Sequence, residues 1–382
     1  MFKKINHFKK NQNSRSTTIT TEQPQAKINN LNIPMQHQIK SHPMQRPIKS
    51  HPMQQQIKSH PMQQPIKSHP MQQPIKDPKF KFNINQYSSP KIKDMAVLLV
   101  YFNFVKSNRI LQNLYTVKSL LDNAEIPYFI AELAFETDEF VFNKQPHIFQ
   151  FKTDSYMFYK ENLILCAEKL IPTTYDKLCL IDSDILFDNP EWYSIISNKL
   201  NHVTIIQPFN KAHWLNFDFT VQMVKTNVID IKNTYTVNYS IEHPGFAWAF
   251  TRNTFNDIGF FDKSIVSSAG DAILTYTVSN KMGCEPVILF YETNFKEKIK
   301  INTTYEYDSC PLNIYHLYHG SLSNRQYVSI HDVVGRCLKL NNKCLLDLVY
   351  RREDNLLVWN PKYKKDMNII MLNYFKLRKD DE

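Results

Sequence analysis

The chain has 382 residues, of which 42% are hydrophobic and 13% aromatic, enough for a large core and too many for a wholly disordered or collagen-like protein. It contains only six glycines, where average usage of about 7% would give about 27, so folds that need many tight turns are disfavoured. The net charge of +10 is unevenly distributed: residues 1–90 have a balance of +12 and the remainder −2. The basic pI therefore gives little support for a folded nucleic-acid-binding surface.

The first 90 residues are predicted to form a disordered basic tail. Within residues 39–76 the unit IKSHPMQ recurs every nine residues and places four histidines in register: His42, His51, His60 and His69. Proline after each histidine and few large apolar side chains leave nothing to bury. In polyproline II, one such repeat spans about 28 Å, which disfavours a metal site shared by successive imidazoles. The tail is expected to contact polyanions non-specifically, without aromatic residues in the repeat to stack on bases.

Cysteine spacing and hydropathy favour a reducing, aqueous compartment. The six cysteines form no CxxC pair and no zinc-ligand spacing, so free thiols are expected. The longest apolar run, Met95 to Phe102, has eight residues, whereas a membrane-spanning helix needs about 20. The basic start of the chain lacks the apolar region of a signal peptide. We expect a cytoplasmic protein without a membrane span.

The body, residues 91–382, alternates strand and helix patterns. The buried-strand pattern of Met95 to Asn103 precedes a helical pattern from Ile110 to Leu121, with Asn108 available as its cap. Further strands are predicted at 128–133, 147–151, 178–181 and 203–207, and helices at about 157–170 and 190–200. This order predicts an α/β fold with a mostly parallel sheet covered by helices. Ligands of such sheets bind at the carboxyl ends of strands, here Tyr101 to Asn103 and the residues after Ile181.

Asp182-Ser183-Asp184 follows the strand that ends at Ile181. Two carboxylates at this position are hard oxygen ligands that suit Mg²⁺ or Mn²⁺, and such an ion could bridge a diphosphate. The alternative is a pair of solvated loop acids that end the strand, because Asp-x-Asp is common in turns.

Two further groups of residues are candidates for chemistry. Gly270 precedes Asp271 at the start of a helical pattern, where the carboxylate is either a helix cap or a general base towards a substrate hydroxyl. Around His319, strand alternation would place His316 and Tyr318 on one face and His319 on the other. A lone histidine is more often structural than a ligand. Gly320, however, allows close backbone approach, and Arg325 offers a forked phosphate donor.

Together these motifs resemble a family of GT-A fold glycosyltransferases with bacterial and giant-virus members. The match covers about residues 95–382 and consists, in chain order, of YFN, Lys160-Glu161, LIDSDILF, GFAWAF, Phe261-Asp262, Gly270-Asp271, YHGSLSNRQY and Tyr374-Phe375 before Arg378. Three of the six glycines, Gly245, Gly270 and Gly320, lie in these motifs, and Gly259 lies two residues before Phe261-Asp262. The chain departs from the pattern at Met157 to Tyr159, where Trp-Gln is expected before the Lys-Glu pair, and at His331, where arginine is common.

The resemblance implies a Rossmann-like GT-A domain and a set of site residues. Asp182 and Asp184 would form the DxD element, and these two residues with His319 would bind Mn²⁺ or Mg²⁺. The residues implied to bind the donor are Tyr101, Phe102, Asn103, Lys160, Asp182, Trp248 and Arg325. Asp271 would be the catalytic base if the enzyme inverts configuration.

The resemblance thus implies a metal-dependent glycosyltransferase, of hexosyl or N-acetylhexosaminyl type. It would move a sugar from a nucleotide-diphosphate sugar, expected to be a UDP-sugar, to a hydroxyl of a glycan or protein. For a viral member the expected location is the host cytoplasm or the virion. Two other interpretations stay open: an inactive GT-A-like binding or structural protein, and a nucleotidyltransferase, which also places acids at strand ends.

Overall fold

The computed structural model describes residues 86–229, 237–259, 270–279, 292–293, 305–325 and 344–382. Almost all of the predicted tail lies outside this range, as do Cys284, Cys337, Phe261-Asp262, Gln326-Tyr327 and His331. Residues 86–90, assigned to the tail from the sequence, pack against the body. Tyr87 is buried, its hydroxyl accepts a hydrogen bond from the Phe187 amide at 3.0 Å, and its ring meets Trp192 edge-on.

Strands and helices alternate along the first half of the chain. The elements are, in order, β1 (Met95–Phe102), α1 (Asn108–Asn123), β2 (Tyr128–Phe135), β3 (Ile148–Thr153), α2 (Lys160–Glu168), β4 (Lys177–Ile181), β5 (Ile185–Phe187), α3 (Trp192–Lys199), β6 (Ile205–Gln207), β7 (Lys211–Leu215), β8 (Val221–Thr226), β9 (Ala247–Thr251), α4 (Arg252–Ile258), α5 (Gly270–Ser279), β10 (Tyr307–Ser309), β11 (Asn313–His316), α6 (Leu345–Leu348), β12 (Val349–Arg351), β13 (Leu357–Trp359) and α7 (Lys364–Leu377).

The central sheet has seven strands in the order β10-β6-β9-β4-β1-β2-β3. Strand β1 is parallel to β2 and β4, β2 is parallel to β3, and β6 is parallel to β10. Strand β9 runs antiparallel to both of its neighbours, β4 and β6. The predicted mixed α/β fold, with a mostly parallel central sheet and flanking helices, is confirmed.

A second sheet of four strands, in the order β5-β11-β7-β8, lies beyond the end of β4. Strand β5 begins three residues after the Asp182 position and pairs antiparallel with β11, matching Ile185 with His316. Strand β4 belongs to the central sheet and β5 belongs to the second sheet, so the Asp182-Ser183-Asp184 segment between them lies where the two sheets meet. A third, two-stranded sheet is formed by β12 and β13.

Both faces of the central sheet are buried, as the continuous apolar run of β1 predicts. Met95, Val97 and Leu99 pack into one hydrophobic cluster, and Ala96 and Leu98 pack into the other. This division follows from the two-residue period of a strand. Both clusters contribute apolar side chains near the carboxyl end of β1, where the site described below lies.

Helix α1 corrects one prediction about its start. Ser107, rather than Asn108, is the N-cap, because its hydroxyl accepts a hydrogen bond from the Ile110 amide at 3.2 Å. Asn108 is already the first helical residue, so its side chain lies one position too late to cap. The described cysteines, Cys166, Cys179, Cys310 and Cys344, are free thiols as expected. Within the described ranges, no helix is both long and apolar enough to cross a bilayer.

Candidate functional site

A cavity of about 760 Å³ opens at the carboxyl ends of β1 and β4. That volume is within the usual range for small-molecule sites. Nine of the ten site residues that the resemblance implies contribute to its lining: Tyr101, Phe102, Asn103, Lys160, Asp182, Asp184, Trp248, Asp271 and His319. Residues separated by more than 200 positions in the chain therefore meet at the predicted edge of the sheet.

The backbone of Phe246, the residue before β9, fixes the position of Asp182, where the acidic segment begins. The Asp182 amide donates to the Phe246 carbonyl at 2.8 Å, which continues the pairing of β4 with β9. Phe246 has a positive φ of 82°, a conformation that non-glycine residues seldom adopt. The buried Gln207 side chain donates to the His243 carbonyl at 3.0 Å, which helps to hold this loop. The strained turn thus fixes where the Asp182 side chain leaves the sheet.

On one side of the cavity, which we call the lysine side, Lys160 lies between two carboxylates. Its Nζ is 2.7 Å from Asp182 Oδ1 and 3.0 Å from Asp271 Oδ2. Burial alone would lower the pKa of Lys160, but the two carboxylates outweigh burial and raise that pKa well above its usual range. Burial raises the pKa of Asp182, and Lys160 opposes this shift. The lysine side is therefore an ion-paired triad in which the cation is part of the protein.

Two glycines make this triad possible. A Cβ on Gly270 would lie 2.0 Å from Glu161 Oε1, so helix α5 can start against the buried Glu161 of α2 because Gly270 has no side chain. A Cβ on Gly245 would lie 2.9 Å from Asp271 Oδ2. Asp271 is in the first turn of α5, and its carboxylate contacts Lys160 and lines the cavity. This position fits the general-base interpretation of Asp271, which stays a prediction.

On the other side of Ser183, which we call the histidine side, Asp184 faces two imidazoles. Asp184 Oδ2 is 3.1 Å from His319 Nε2 and 3.6 Å from His316 Nε2. The strand alternation expected for this segment stops early, because β11 ends at His316, and the Leu317 amide makes one more hydrogen bond in the same direction, to the Asp184 carbonyl at 2.9 Å. The two histidine rings consequently converge, with centroids 5.1 Å apart.

The charges on the histidine side differ from those around Lys160. Burial would raise the pKa of Asp184, but His316, His319 and Arg325 hold it well below its usual range, so this carboxylate is ionised. Burial lowers the pKa of His316 well below that of free histidine, so its imidazole is neutral. An ionised carboxylate beside a neutral imidazole is the state in which both groups bind a metal ion.

Arg325 does not contribute to the cavity lining within the described residues. It is 2% exposed, its Nη1 is 3.4 Å from His316 Nε2, and its guanidinium lies 5.0 Å from the centre of the Trp214 ring. Arginine can only donate in such a contact, so His316 Nε2 presents its lone pair to it. Arg325 thus lies behind His316, and its predicted phosphate contact stays a prediction.

The donor atoms on the histidine side fit a divalent cation. Asp184, His316 and His319 each offer one ligand atom, and these atoms lie within 4.8 Å of one another. The buried Asp184 Oδ1 has no hydrogen-bond partner among the described residues. One carboxylate and two imidazoles form a mixed oxygen and nitrogen set that can bind a divalent transition metal such as Mn²⁺. The resemblance implies Asp182, Asp184 and His319 as ligands. The cluster contains Asp184 and His319 but not Asp182, and it adds His316, which lies three residues before His319.

The remaining predicted residues form the walls of the cavity. The Asn103 amide donates to the Tyr101 hydroxyl at 3.2 Å and to the Ser107 carbonyl at 2.7 Å, which links β1 to the start of α1. Trp248 is 2% exposed, and its indole nitrogen donates to the Pro244 carbonyl at 2.8 Å. Its contribution to the wall is therefore a small part of a buried ring. His243, Arg378 and Asp380 also line the cavity, although the sequence analysis assigned none of them to the site.

Comparisons with known proteins return distant similarities in structure. No family model matches the chain, and no curated protein does. The Drosophila β1,4-galactosyltransferase 7 catalytic domain in complex with xylobiose is 12% identical with a TM-score of 0.29, over 48% of this chain and 59% of that one. The match therefore spans less than two-thirds of that chain.

Two further solved structures have the same level of similarity. Glucosyl-3-phosphoglycerate synthase from Mycobacterium tuberculosis, in complex with Mn²⁺, UDP-glucose and phosphoglyceric acid, is 10% identical with a TM-score of 0.32, over 70% of this chain and 87% of that one. GalNAc-T7 with UDP, GalNAc and Mn²⁺ is 10% identical with a TM-score of 0.35, over 64% and 48% of the two chains. Neither similarity assigns an activity to this chain.

Proposed function

We propose that the chain is a metal-dependent glycosyltransferase of the GT-A type, using a nucleotide-diphosphate sugar, and a UDP-sugar in particular, as donor. The observation that carries the proposal is the pairing of two unlike groups at one strand end. A carboxylate and two imidazoles suited to a divalent cation lie on one side of Ser183, and a buried lysine with two carboxylates lies on the other. Both groups border a cavity large enough for a nucleotide sugar.

In this proposal the cation is held by Asp184 and His319, with His316 as a third donor. When bound, it would neutralise the charge that develops on the diphosphate leaving group. The resemblance also assigns Asp182 as a ligand. Asp182 Oδ1, however, is 2.7 Å from Lys160 Nζ, so in the proposal Asp182 mainly orients the lysine, and its assignment as a ligand is tested below. Lys160 would stabilise negative charge on the donor phosphates.

The rest of the cavity would orient the two substrates. Tyr101, Phe102 and Asn103 would line the nucleotide site at the end of β1, and Trp248 would provide apolar surface against the sugar. Asp271 would accept the proton of the acceptor hydroxyl in an inverting reaction, and Lys160, 3.0 Å away, would hold its carboxylate in place. The acceptor would be a hydroxyl of a glycan or a protein, and the transferred group a hexose or an N-acetylhexosamine.

A thermal-shift screen of nucleotide sugars, with and without Mn²⁺, tests this function. Binding to the folded state at a hundredfold excess over Kd adds about 2.7 kcal/mol of stability, which is readily measured. We expect stabilisation by a UDP-sugar that requires Mn²⁺ and is abolished by EDTA. A wild-type protein that hydrolyses or transfers sugar at full rate in EDTA would contradict the metal mechanism.

Product analysis separates this proposal from the two alternatives. Release of UDP and appearance of a glycoside support the glycosyltransferase. Metal-dependent donor binding without hydrolysis or transfer would indicate a binding or structural protein, and release of pyrophosphate from a nucleoside triphosphate would indicate a nucleotidyltransferase.

A further inference from the structure

Residues 378–382, which we call the strap, pass behind His319 after helix α7 ends at Leu377. Asp380 is 4% exposed, and its Oδ1 lies 3.2 Å from His319 Nδ1 and 3.3 Å from Arg378 Nη2. The opposite ring nitrogen, His319 Nε2, faces Asp184 at 3.1 Å. His319 is thus held between two carboxylates, one on each side of its ring.

The strap is fixed in place by contacts that do not involve His319. Asp381 Oδ1 accepts hydrogen bonds from the Ser107 hydroxyl at 2.6 Å and the Arg109 amide at 2.8 Å, and Asp381 Oδ2 accepts one from the Asn108 amide at 3.2 Å. This carboxylate therefore caps the N-terminus of α1, where negative charge is favoured. The Tyr318 hydroxyl donates to the Glu382 carbonyl at 2.6 Å.

Gly320 brings the strap and the histidine loop into direct contact. Its φ is +90°, and a Cβ at this position would lie 2.9 Å from the Lys379 carbonyl oxygen and 3.2 Å from Asp380 Cα. On its other flank, the loop receives a hydrogen bond from the Asn113 side chain to the Tyr318 carbonyl at 3.1 Å. The position of Asp380 relative to His319 is therefore determined by packing on both sides.

We propose that Asp380 is a positioning residue for the metal ligand His319. Its carboxylate accepts a hydrogen bond from the His319 Nδ1–H group, and this leaves the Nε2 lone pair directed at Asp184 and the site. A ligating histidine commonly donates its other N–H to a carboxylate, which fixes the tautomer and the ring orientation. The inference rests on the proposed function, because it assumes that His319 binds the cation, and it adds a residue 61 positions away to the support of that ligand.

Mn²⁺ affinity of the full chain, measured by isothermal titration with Mn²⁺ alone, tests this role. We expect Asp380→Asn to weaken Mn²⁺ binding by about 10- to 100-fold. Glu382→Gln is the matched control, because it removes one negative charge from the same strap at an exposed side chain, 2.7 Å from the exposed Lys379 Nζ, and leaves the contacts of Asp380 and Asp381 in place. Its Mn²⁺ affinity should stay within about threefold of the wild type.

The outcomes separate this inference from the proposed function. Equal Mn²⁺ affinity in wild type and Asp380→Asn, or equal losses in both variants, would overturn the role of Asp380 and leave the metal site standing. Absence of Mn²⁺ binding to the wild type would overturn the metal site itself, and this inference with it. Thermal unfolding of each variant in EDTA shows whether it is folded before its Mn²⁺ titration is interpreted.

A spectroscopic measurement tests the same contact without any variant of Asp380. In metal-free protein labelled with ¹⁵N-histidine, His319 Nδ1 is expected to carry a proton, because the carboxylate of Asp380 can only accept. The signal is assigned by comparison with His319→Gln. An unprotonated Nδ1 in the wild type would overturn the proposal, even if Asp380→Asn fails to fold.

Discussion

Asp182 and Asp184 leave the same strand end two residues apart and enter different electrostatic surroundings. On the lysine side, the Asp182 carboxylate meets a protein cation, Lys160, at 2.7 Å. On the histidine side, the Asp184 carboxylate meets two imidazole nitrogens, and its Oδ1 has no partner within the described residues. The two carboxylates are chemically identical, so their environment determines their roles.

The difference indicates where each kind of charge is provided. The lysine side has its positive charge built in, since Lys160 is held protonated between Asp182 and Asp271. On the histidine side, the ionised carboxylate of Asp184 faces the neutral imidazole of His316. Both groups present lone pairs to each other, and no proton lies between them to form a hydrogen bond. Such a set of acceptors is stabilised by a bound cation. Substitutions on the histidine side should therefore lower Mn²⁺ affinity, whereas substitutions on the lysine side should lower turnover with little change in Mn²⁺ affinity.

The largest effect is expected for Asp184→Asn compared with Asp182→Asn. In the proposed function, loss of the Asp184 charge would remove a metal ligand, so we expect loss of Mn²⁺-dependent stabilisation and a fall in turnover of about 10³-fold or more. Asp182→Asn leaves the histidine side intact and should weaken Mn²⁺ binding by no more than about tenfold. Titration with Mn²⁺ and donor turnover measure both. Equal loss of Mn²⁺ binding in the two variants would make Asp182 a ligand, as the resemblance implies, and would remove the division between the two sides.

The next effect is expected on the lysine side, for Asp271→Asn. If Asp271 is the base, turnover should fall by about 10²-fold while donor affinity and Mn²⁺ affinity change little. The asparagine has the same shape and can still contact Lys160, so the fold should be kept. Steady-state kinetics, with donor affinity measured separately, check this. An unchanged turnover number would leave Asp271 with only a structural role at the start of α5.

The sheet could be predicted from the sequence because its strands are locally encoded. A run such as Met95 to Phe102 is apolar at every position, as expected for a strand buried on both faces, and the structure confirms it. The second sheet was not predicted. Its strand β8 has no buried residue, and its strand β5 has only three residues. Neither segment therefore shows an alternating apolar pattern long enough to identify it as a strand.

The site was predictable to the extent that its residues lie within short motifs. Asp184 and His319 could be named through the resemblance, and their side chains lie 3.1 Å apart. His316 is not among the ligands that the resemblance implies, and the strand alternation expected for this segment, which ends at His316 in the structure, placed the two histidines on opposite faces. Asp380 lies outside the motifs that the sequence analysis identified. Its contact with His319 depends on packing between segments 61 residues apart, which no local pattern encodes.

Smaller effects are expected from two glycine substitutions, one next to each side. Gly320 adjoins the histidine side and Gly245 adjoins the lysine side. Gly320→Ala places a side chain at a φ of +90° and against the Lys379 carbonyl, so we expect a loss of about 2 kcal/mol and weaker Mn²⁺ binding. Gly245→Ala would meet the ends of two side chains, Asp271 and His243, which can move. It should cost about 1 kcal/mol, lower turnover and leave Mn²⁺ affinity unchanged. Urea unfolding and Mn²⁺ titration measure both, and weaker Mn²⁺ binding in Gly245→Ala would mean that the two sides are coupled.

The smallest effect is expected at the opposite end of β4, where an ion pair lies far from either side. Asp94 accepts from Lys177 Nζ and from the Ser197 hydroxyl, both at 2.6 Å. Burial would raise the pKa of Asp94, but these two partners lower it below its usual value. The contribution is therefore present above the unfolded carboxyl pKa, about 3.9, and is lost as the pH falls through the folded pKa.

Asp94→Asn should accordingly cost about 1 kcal/mol at neutral pH, with turnover and Mn²⁺ affinity unchanged. The difference in unfolding free energy between wild type and variant should shrink as the pH falls below about 4, because protonation removes the charge from the wild type as well. Urea unfolding at several pH values measures this. A change in Mn²⁺ affinity would show that the histidine side responds to charge from the far end of the strand, beyond the contacts that Asp184 and His319 make with His316, Arg325 and Asp380.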